Sequence, residues 1–181
     1  MKFVAIGLGL ISGAALYFAP SAMACSCAVN DAFGTVAPRS QLIVRGKVLN
    51  YQWDQADKQH DRPMAMQVEI QEILNGVNAS KRITIWGDNG MICRRYVREF
   101  PVGTEWVWAV SPDTWSKNGE LAISSCGEYA LSLKDGKVQG RISPKAKAAE
   151  LMTLAKLRQV LKVKPKVAGV KGQCPDRPIL N

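Results

Sequence analysis

The sequence is poor in the residues on which most enzymes depend. It has a single histidine, His60, in a polar stretch, so a Ser-His-acid catalytic set is not expected. No glycine-rich phosphate loop follows a predicted strand, and the Gly-Asp-Asn-Gly stretch at 87–90 is typical of a turn. Asp and Glu total 15 against 24 Lys and Arg, which leaves few paired carboxylates for acid–base work. We therefore expect a protein that is not an enzyme and needs no cofactor.

Charge is also sparse at the N-terminus, where Lys2 is followed by an apolar run that ends at Pro20. A small-x-small site at 22–24 completes the pattern of a secretory signal peptide over residues 1–24. A membrane anchor is the first alternative, but three glycines and Pro20 interrupt the run. A lipoprotein signal is the second, because Cys25 directly follows the cut, although Ala22 stands where such signals have leucine. We expect export, a mature start at Cys25, a secreted or periplasmic location and no membrane span after cleavage.

The cysteines lack the Cys-x-x-Cys spacing of zinc sites and of redox motifs, so neither is expected. There are five cysteines, all of them in the mature part, and export makes disulfides the default interpretation. Cys25 and Cys27 are two residues apart, so on an extended chain they point to opposite sides and need different partners. Because five is odd, at least one thiol is left over or bonds to a second chain. Cys174, in the tail, is the candidate.

The net charge is +9, and the lysines and arginines are scattered along the sequence except in its last part, where they are concentrated. A basic balance can indicate nucleic acid or an anionic surface as partner. Since the basic residues are scattered and the protein is expected to be exported, we do not expect nucleic acid binding. We interpret the charge as a surface property that favours acidic partners.

Most of the mature chain has the alternation and turn spacing of β-strands. Gly46 is a predicted bulge, and Asp135-Gly136 is the strongest hairpin signal. Trp86, Trp106 and Trp108 are expected to pack in the core. A mainly β fold with a closed or partly closed antiparallel barrel follows. The predicted strands are 41–49, 64–74, 82–86, 105–110, 121–123, 129–133 and 137–142.

One helix is predicted near the end of the domain. Ser143 has the character of an N-cap, and Pro144 suits the first helical position. Apolar residues then recur with helical spacing from Leu151 to Leu161. This basic amphipathic helix either packs on the barrel or lies on a membrane, and we expect the former. The domain thus spans 25–162, and a basic tail spans 163–181.

Six segments follow one another in a specific order: Cys25-Ser26-Cys27-Ala28, Ala32-Phe33, 42–48, 91–96, 105–110 and 121–126. Together they resemble the N-terminal domain of the tissue inhibitors of metalloproteinases, a netrin-like module. The similarity covers about 25–127 and implies a five-stranded OB-fold barrel with Cys25–Cys93 and Cys27–Cys126 bridges. Two features depart from the family: Gly34 stands where a third early cysteine is expected, and a cysteine-rich second domain is lacking.

The resemblance also implies a function, inhibition of zinc metalloproteases. The α-amine and carbonyl of Cys25 would bind the catalytic zinc of the target protease, and Ser26 would enter the adjacent specificity pocket. The alternative is a secreted or periplasmic OB-fold binding or structural module that inhibits nothing. The implied protease-binding residues are Cys25, Ser26, Cys27, Ala28, Met91 and Ile92.

Overall fold

The computed structural model describes residues 26–53, 62–88, 90, 92–112 and 119–162. The predictions for the signal peptide, Cys25, His60, Met91 and the tail lie outside these residues. The helical segments are α1 (Phe33–Val36), α2 (Leu154–Lys162) and two 3-10 turns (Ala37–Arg39, Val97–Glu99). The strands are β1 (Leu42–Gln52), β2 (Ala65–Asn75), β3 (Arg82–Trp86), β4 (Glu105–Pro112), β5 (Leu121–Ala122), β6 (Ala130–Lys134), β7 (Lys137–Gly140) and β8 (Glu150–Thr153).

Five strands form a closed barrel in the order β1-β2-β3-β5-β4, with β4 returning to pair with β1. The expected barrel is therefore confirmed. All of its pairings are antiparallel except the short one between β3 and β5. The predicted bulge at Gly46 coincides with a register shift between β1 and β2. A Cβ at Gly46 would lie 2.6 Å from the carbonyl oxygen of Glu69, so the two strands approach closely there.

The barrel core is apolar and continuous. Trp108 is fully buried, and Phe100 packs edge-to-face on Trp106 with ring centroids 4.9 Å apart. Trp106 and Trp86 are half-buried, so of the three tryptophans only Trp108 lies wholly inside. The other buried members are Leu42, Val44, Val48, Met66, Val68, Ile83, Ile85, Val97, Val110, Ile123 and Ala130.

A second set of apolar side chains lies outside the barrel, and we call it the outer core. It forms because β6, β7 and β8 extend the sheet from β4 and α2 covers the extension. The helix is also tied to β2, since Arg158 donates to both carboxylate oxygens of Glu72 at 2.8 and 2.7 Å. The buried members are Phe33, Ala37, Ile43, Val107, Ala109, Leu131, Val138, Ile142, Leu154 and Leu157.

The predicted start of the helix at Ser143 and Pro144 is wrong. The Ser143 N–H and hydroxyl donate to the Glu150 carboxylate at 2.6 and 2.9 Å, which holds 143–149 in a turn. Glu150–Thr153 then pairs with β7, and Leu151 is 65% exposed on this strand. The helix begins at Leu154, where the Thr153 hydroxyl accepts from the Lys156 N–H as an N-cap does.

The remaining strand predictions hold with small shifts at the ends. β6 and β7 are joined by Asp135 and Gly136, whose φ values of 50° and 69° are those of a type I′ turn. β4 continues two residues beyond its predicted end, because Ser111 and Pro112 pair with β5. Within the residues described, no helix is both long enough and apolar enough to cross a membrane.

Candidate functional site

The first described residues form an exposed segment without helix or strand. Ser26, Cys27, Ala28 and Asn30 are exposed, and Val29 shows 57% of its surface to solvent. The chain becomes buried only at 32–33, where α1 begins. The predicted binding residues in this segment are therefore accessible.

A disulfide fastens this segment to the barrel. Cys27 is bonded to Cys126, 99 residues away, with their Cα atoms 5.2 Å apart. The Cys27–Cys126 pairing implied by the resemblance is confirmed. In the chain-entropy description, closing a loop of this length stabilises the fold by about 4–5 kcal/mol.

The segment around Cys93 lies against residues 123–125, which precede Cys126. The Ser125 N–H donates to the Cys93 carbonyl at 3.1 Å, and the Arg95 N–H donates to the Ile123 carbonyl at 3.0 Å. Between them, Arg94 pairs with Ser124 in a short antiparallel bridge. Segments 26–30 and 92–95 are thus both joined to 123–126, and we call the three segments together the N-terminal edge.

Two disulfides were predicted, and the described residues include both cysteines of one of them, Cys27–Cys126. Cys93 is also disulfide-bonded. Its predicted partner, Cys25, lies outside the described residues, so the Cys25–Cys93 pairing stays a prediction. Among the predicted protease-binding residues, Ser26, Cys27 and Ala28 lie on one segment of the edge and half-buried Ile92 on another.

Asp88 positions the segment of the edge that carries Ile92, a role that the sequence analysis did not predict. Its buried carboxylate accepts from the N–H groups of Gly90 and Ile92 at 2.7 and 3.2 Å. The Asp88 N–H in turn donates to the Arg95 carbonyl at 3.1 Å. The sequence signal is an Asx turn within 87–90, which indicates a turn but not what the turn positions.

A polar network anchors the other end of the exposed segment. Arg141 donates to the carbonyl and the side-chain oxygen of Asn30 at 3.0 and 2.6 Å. The Glu128 carboxylate lies between the guanidinium groups of Arg141 and Arg95, at 3.7 and 3.6 Å. The Glu128 N–H also donates to the Asp31 carbonyl at 2.8 Å. The segment is thus held by the disulfide at Cys27 and by hydrogen bonds at its inner end.

The backbone at Gly34 leaves no room for a side chain. Its N–H donates to the Ile142 carbonyl at 2.8 Å, so the chain runs close against the turn after β7. A Cβ at Gly34 would lie 2.7 Å from that carbonyl oxygen. A cysteine at this position would require the backbone to move.

Hydrogen bonds lower the pKa values of three carboxylates on the sheet. The hydrogen bond from Arg158 lowers the pKa of Glu72. Hydrogen bonds from Gln71 and then Arg45 lower the pKa of Glu105. The backbone and hydroxyl of Ser143 lower the pKa of Glu150. These groups order the outer surface of the sheet and do not belong to the N-terminal edge.

The described residues contain no group of three or more His, Cys, Asp or Glu side chains arranged to hold a metal ion. Neither a protein-family model nor a curated protein matches the chain.

Proposed function

We propose that this chain is an exported, netrin-like OB-fold protein that binds zinc metalloproteases through its mature N-terminus. The observation that carries the proposal is that the exposed segment 26–30 and the Ile92 segment are both fastened to the same stretch of chain, 123–126, beside a closed barrel. The strand order of that barrel, with one parallel pairing between β3 and β5, supports the OB-fold assignment.

The proposed chemistry takes place at the residue just before Ser26. A catalytic zinc in a protease keeps one coordination position for water or substrate. The Cys25 amine and carbonyl would displace the bound water and coordinate as a bidentate ligand, which makes the zinc five-coordinate. An α-amine has a pKa of roughly 7.7–8.0, so coordination has to displace its proton, which the general base of the protease accepts.

The neighbouring residues would provide the protein–protein contact. Ser26 would enter the specificity pocket beside the zinc, and Ala28 would lie along the substrate cleft. Ile92, with Met91 before it, would form the adjoining ridge. Val29 is 57% exposed in the same segment and adds an apolar contact that sequence reasoning did not include.

Rigidity supports this interpretation. Binding through a loose N-terminal segment would lose affinity to the ordering of that segment. Here the Cys27–Cys126 disulfide and the bonds from Arg141 to Asn30 fix the segment at both ends. A proposed Cys25–Cys93 bond would fix the ligand residue itself.

A second candidate function is a secreted or periplasmic OB-fold module that inhibits no protease. The observation in its favour is Gly34, since the family's third cysteine has no room there. In that case the disulfide and the Arg141 network would serve only to stabilise the fold.

Blocking the α-amine of Cys25 distinguishes the two candidate functions. Mass spectrometry first establishes whether the purified mature protein begins with an unmodified Cys25. Adding one alanine before Cys25 should then weaken binding to a zinc metalloprotease by about thirtyfold or more, the effect of losing a contact worth about 2 kcal/mol. A protein with one alanine added after Asn181 is the matched control and should bind normally. Unchanged binding by the N-terminally extended protein, or an acylated Cys25, would contradict the proposal.

A further inference from the structure

Glu128 lies two residues after Cys126, and its carboxylate forms ion pairs with two arginines. Oε1 lies 3.6 Å from a guanidinium nitrogen of Arg95, and Oε2 lies 3.7 Å from Nε of Arg141. Each arginine therefore faces its own carboxylate oxygen. The Glu128 side chain is 19% exposed, so salt screens these ion pairs less than it screens pairs on the open surface.

The two arginines belong to different parts of the N-terminal edge. Arg141 donates to the carbonyl and the side-chain oxygen of Asn30, at the inner end of the exposed segment. Arg95 is the last residue of the segment that carries Ile92. The side chain of Glu128 thus connects the two segments directly, in addition to the backbone stretch to which both are fastened.

Hydrogen bonds extend this connection to the residues proposed for binding. The Arg95 carbonyl accepts from the Asp88 N–H at 3.1 Å, and the Asp88 carboxylate accepts from the Ile92 N–H at 3.2 Å. On the other side, the Glu128 N–H donates to the Asp31 carbonyl at 2.8 Å, one residue beyond the exposed segment. Contacts of Glu128 therefore lead to both segments of the edge.

Gly127 allows Glu128 to come this close. Its φ of +135° lies in the region that favours glycine. A Cβ at Gly127 would lie 3.0 Å from a ring carbon of Tyr129 and 3.3 Å from the Asp31 carbonyl oxygen. Because glycine has no side chain, the backbone passes against the inner end of the exposed segment and places the Glu128 carboxylate beside both arginines.

We propose that Glu128 is a positioning residue, which fixes the two binding segments of the N-terminal edge relative to each other. One carboxylate attracts both guanidinium groups, and without it the two cations that flank it would repel each other. The effect on protease affinity rests on the proposed function, because that contact uses both segments. The coupling between the segments is a property of the folded chain alone.

NMR of the oxidised, full-length mature protein tests the coupling without any protease. Arg141→Gln should shift the Arg95 Nε–Hε signal and the Ile92 amide signal, because Glu128 connects them to Arg141. In the Glu128→Gln background, the same Arg141→Gln change should leave both signals in place, as a double-mutant cycle requires of a coupled pair. The proposal is overturned if neither signal responds in the parent, or if the response persists without the carboxylate.

Arg39→Gln is the matched control for Arg141→Gln. The ion pair of Arg39 is with the Asp31 carboxylate, at 3.8 Å, so removal of this charge should shift neither signal in either background. Glu128→Asp is a second variant, which keeps the charge but draws the carboxylate back from both arginines by one methylene. It should abolish the response to Arg141→Gln, and a full response would contradict the proposal. The amide signal of buried Trp108 establishes that each variant is folded.

The affinity for a zinc metalloprotease measures the consequence for binding. Glu128→Gln should weaken binding by about threefold or more, because two independently moving segments have to be ordered in the complex. Glu69→Gln removes an exposed carboxylate from β2 and should change the affinity by less than about twofold. Unchanged binding by Glu128→Gln would contradict the positioning role. A parent protein that binds no protease would contradict the proposed function, and the NMR cycle would then decide the coupling by itself.

Discussion

The N-terminal edge and the outer core lie on the same small domain but are ordered by different interactions. At the edge, the side chains of 26–30 are exposed, and this segment is fixed by one described disulfide and by the hydrogen bond from Arg141 to the Asn30 carbonyl. In the outer core, buried side chains such as Leu157 and Ile43 pack between α2 and the sheet. Burial of apolar side chains stabilises the folded state as a whole. A disulfide and hydrogen bonds can in addition hold a solvent-exposed segment in one position. The proposed contact with a protease would use the exposed, fixed edge and not the buried outer core.

The largest expected effect is the loss of the Cys27–Cys126 bond. The double variant C27S/C126S should lose about 4–5 kcal/mol of unfolding free energy, because a loop closed across 99 residues is released. Urea denaturation of the oxidised protein measures the loss. With a reductant present, the variant and the parent should unfold at the same urea concentration. A difference below about 1 kcal/mol in the oxidised proteins would mean that the edge is held without the bond.

The outer core should respond next. Leu157 is fully buried under the sheet, so Leu157→Ala should cost about 3 kcal/mol of unfolding free energy through lost burial and the cavity it leaves. Leu151→Ala is the matched control, because Leu151 is 65% exposed and should change stability by less than about 0.5 kcal/mol. Binding at the edge should survive Leu157→Ala as long as the protein stays folded. Equal losses from the two variants would remove the distinction between buried and exposed faces of this layer.

The smallest effect concerns the tie between α2 and β2. The hydrogen bond from Arg158 lowers the pKa of Glu72, so the folded state favours the ionised carboxylate. This stabilisation is present above the unfolded pKa of a glutamate, about 4.3, and is lost as the pH falls through the lower folded pKa. The parent should therefore be more stable than Glu72→Gln at pH 7, and the difference should shrink below pH 4.

Urea denaturation at several pH values measures this dependence. Glu69→Gln is the control, because it removes the same charge from the same strand and leaves the Glu72–Arg158 pair intact. A Glu72 effect that stayed constant down to low pH would show that the carboxylate does not act through its charge.

Local sequence patterns predicted the barrel strands well. The strand 82–86 was predicted with its observed bounds, and the Asp135-Gly136 hairpin was found because both residues tolerate positive φ. The helix start failed because it depends on contacts that are distant in sequence. Ser143 has the pattern of an N-cap, but its N–H donates to the Glu150 carboxylate. Residues 150–153 form a strand because they pair with β7.

The same reason limits what the sequence predicted of the candidate site. The resemblance brought Cys27 and Cys126 together, and the structure agrees. The role of Arg141 was not visible, because its partner Asn30 is 111 residues away and neither residue belongs to a motif. Asp88 was visible only as a turn residue, although its carboxylate holds the segment that carries Ile92.

The central claim is that the edge presents the Cys25 amine to a protease zinc, and a spectroscopic titration tests it most directly. A zinc metalloprotease is substituted with cobalt(II), and its visible absorption is followed while the mature protein is added. We expect a saturable change in the cobalt bands, since new nitrogen and oxygen ligands alter the coordination. The protein extended by one alanine before Cys25 should leave the bands unchanged. Binding of the mature protein without any change at the metal would contradict the account.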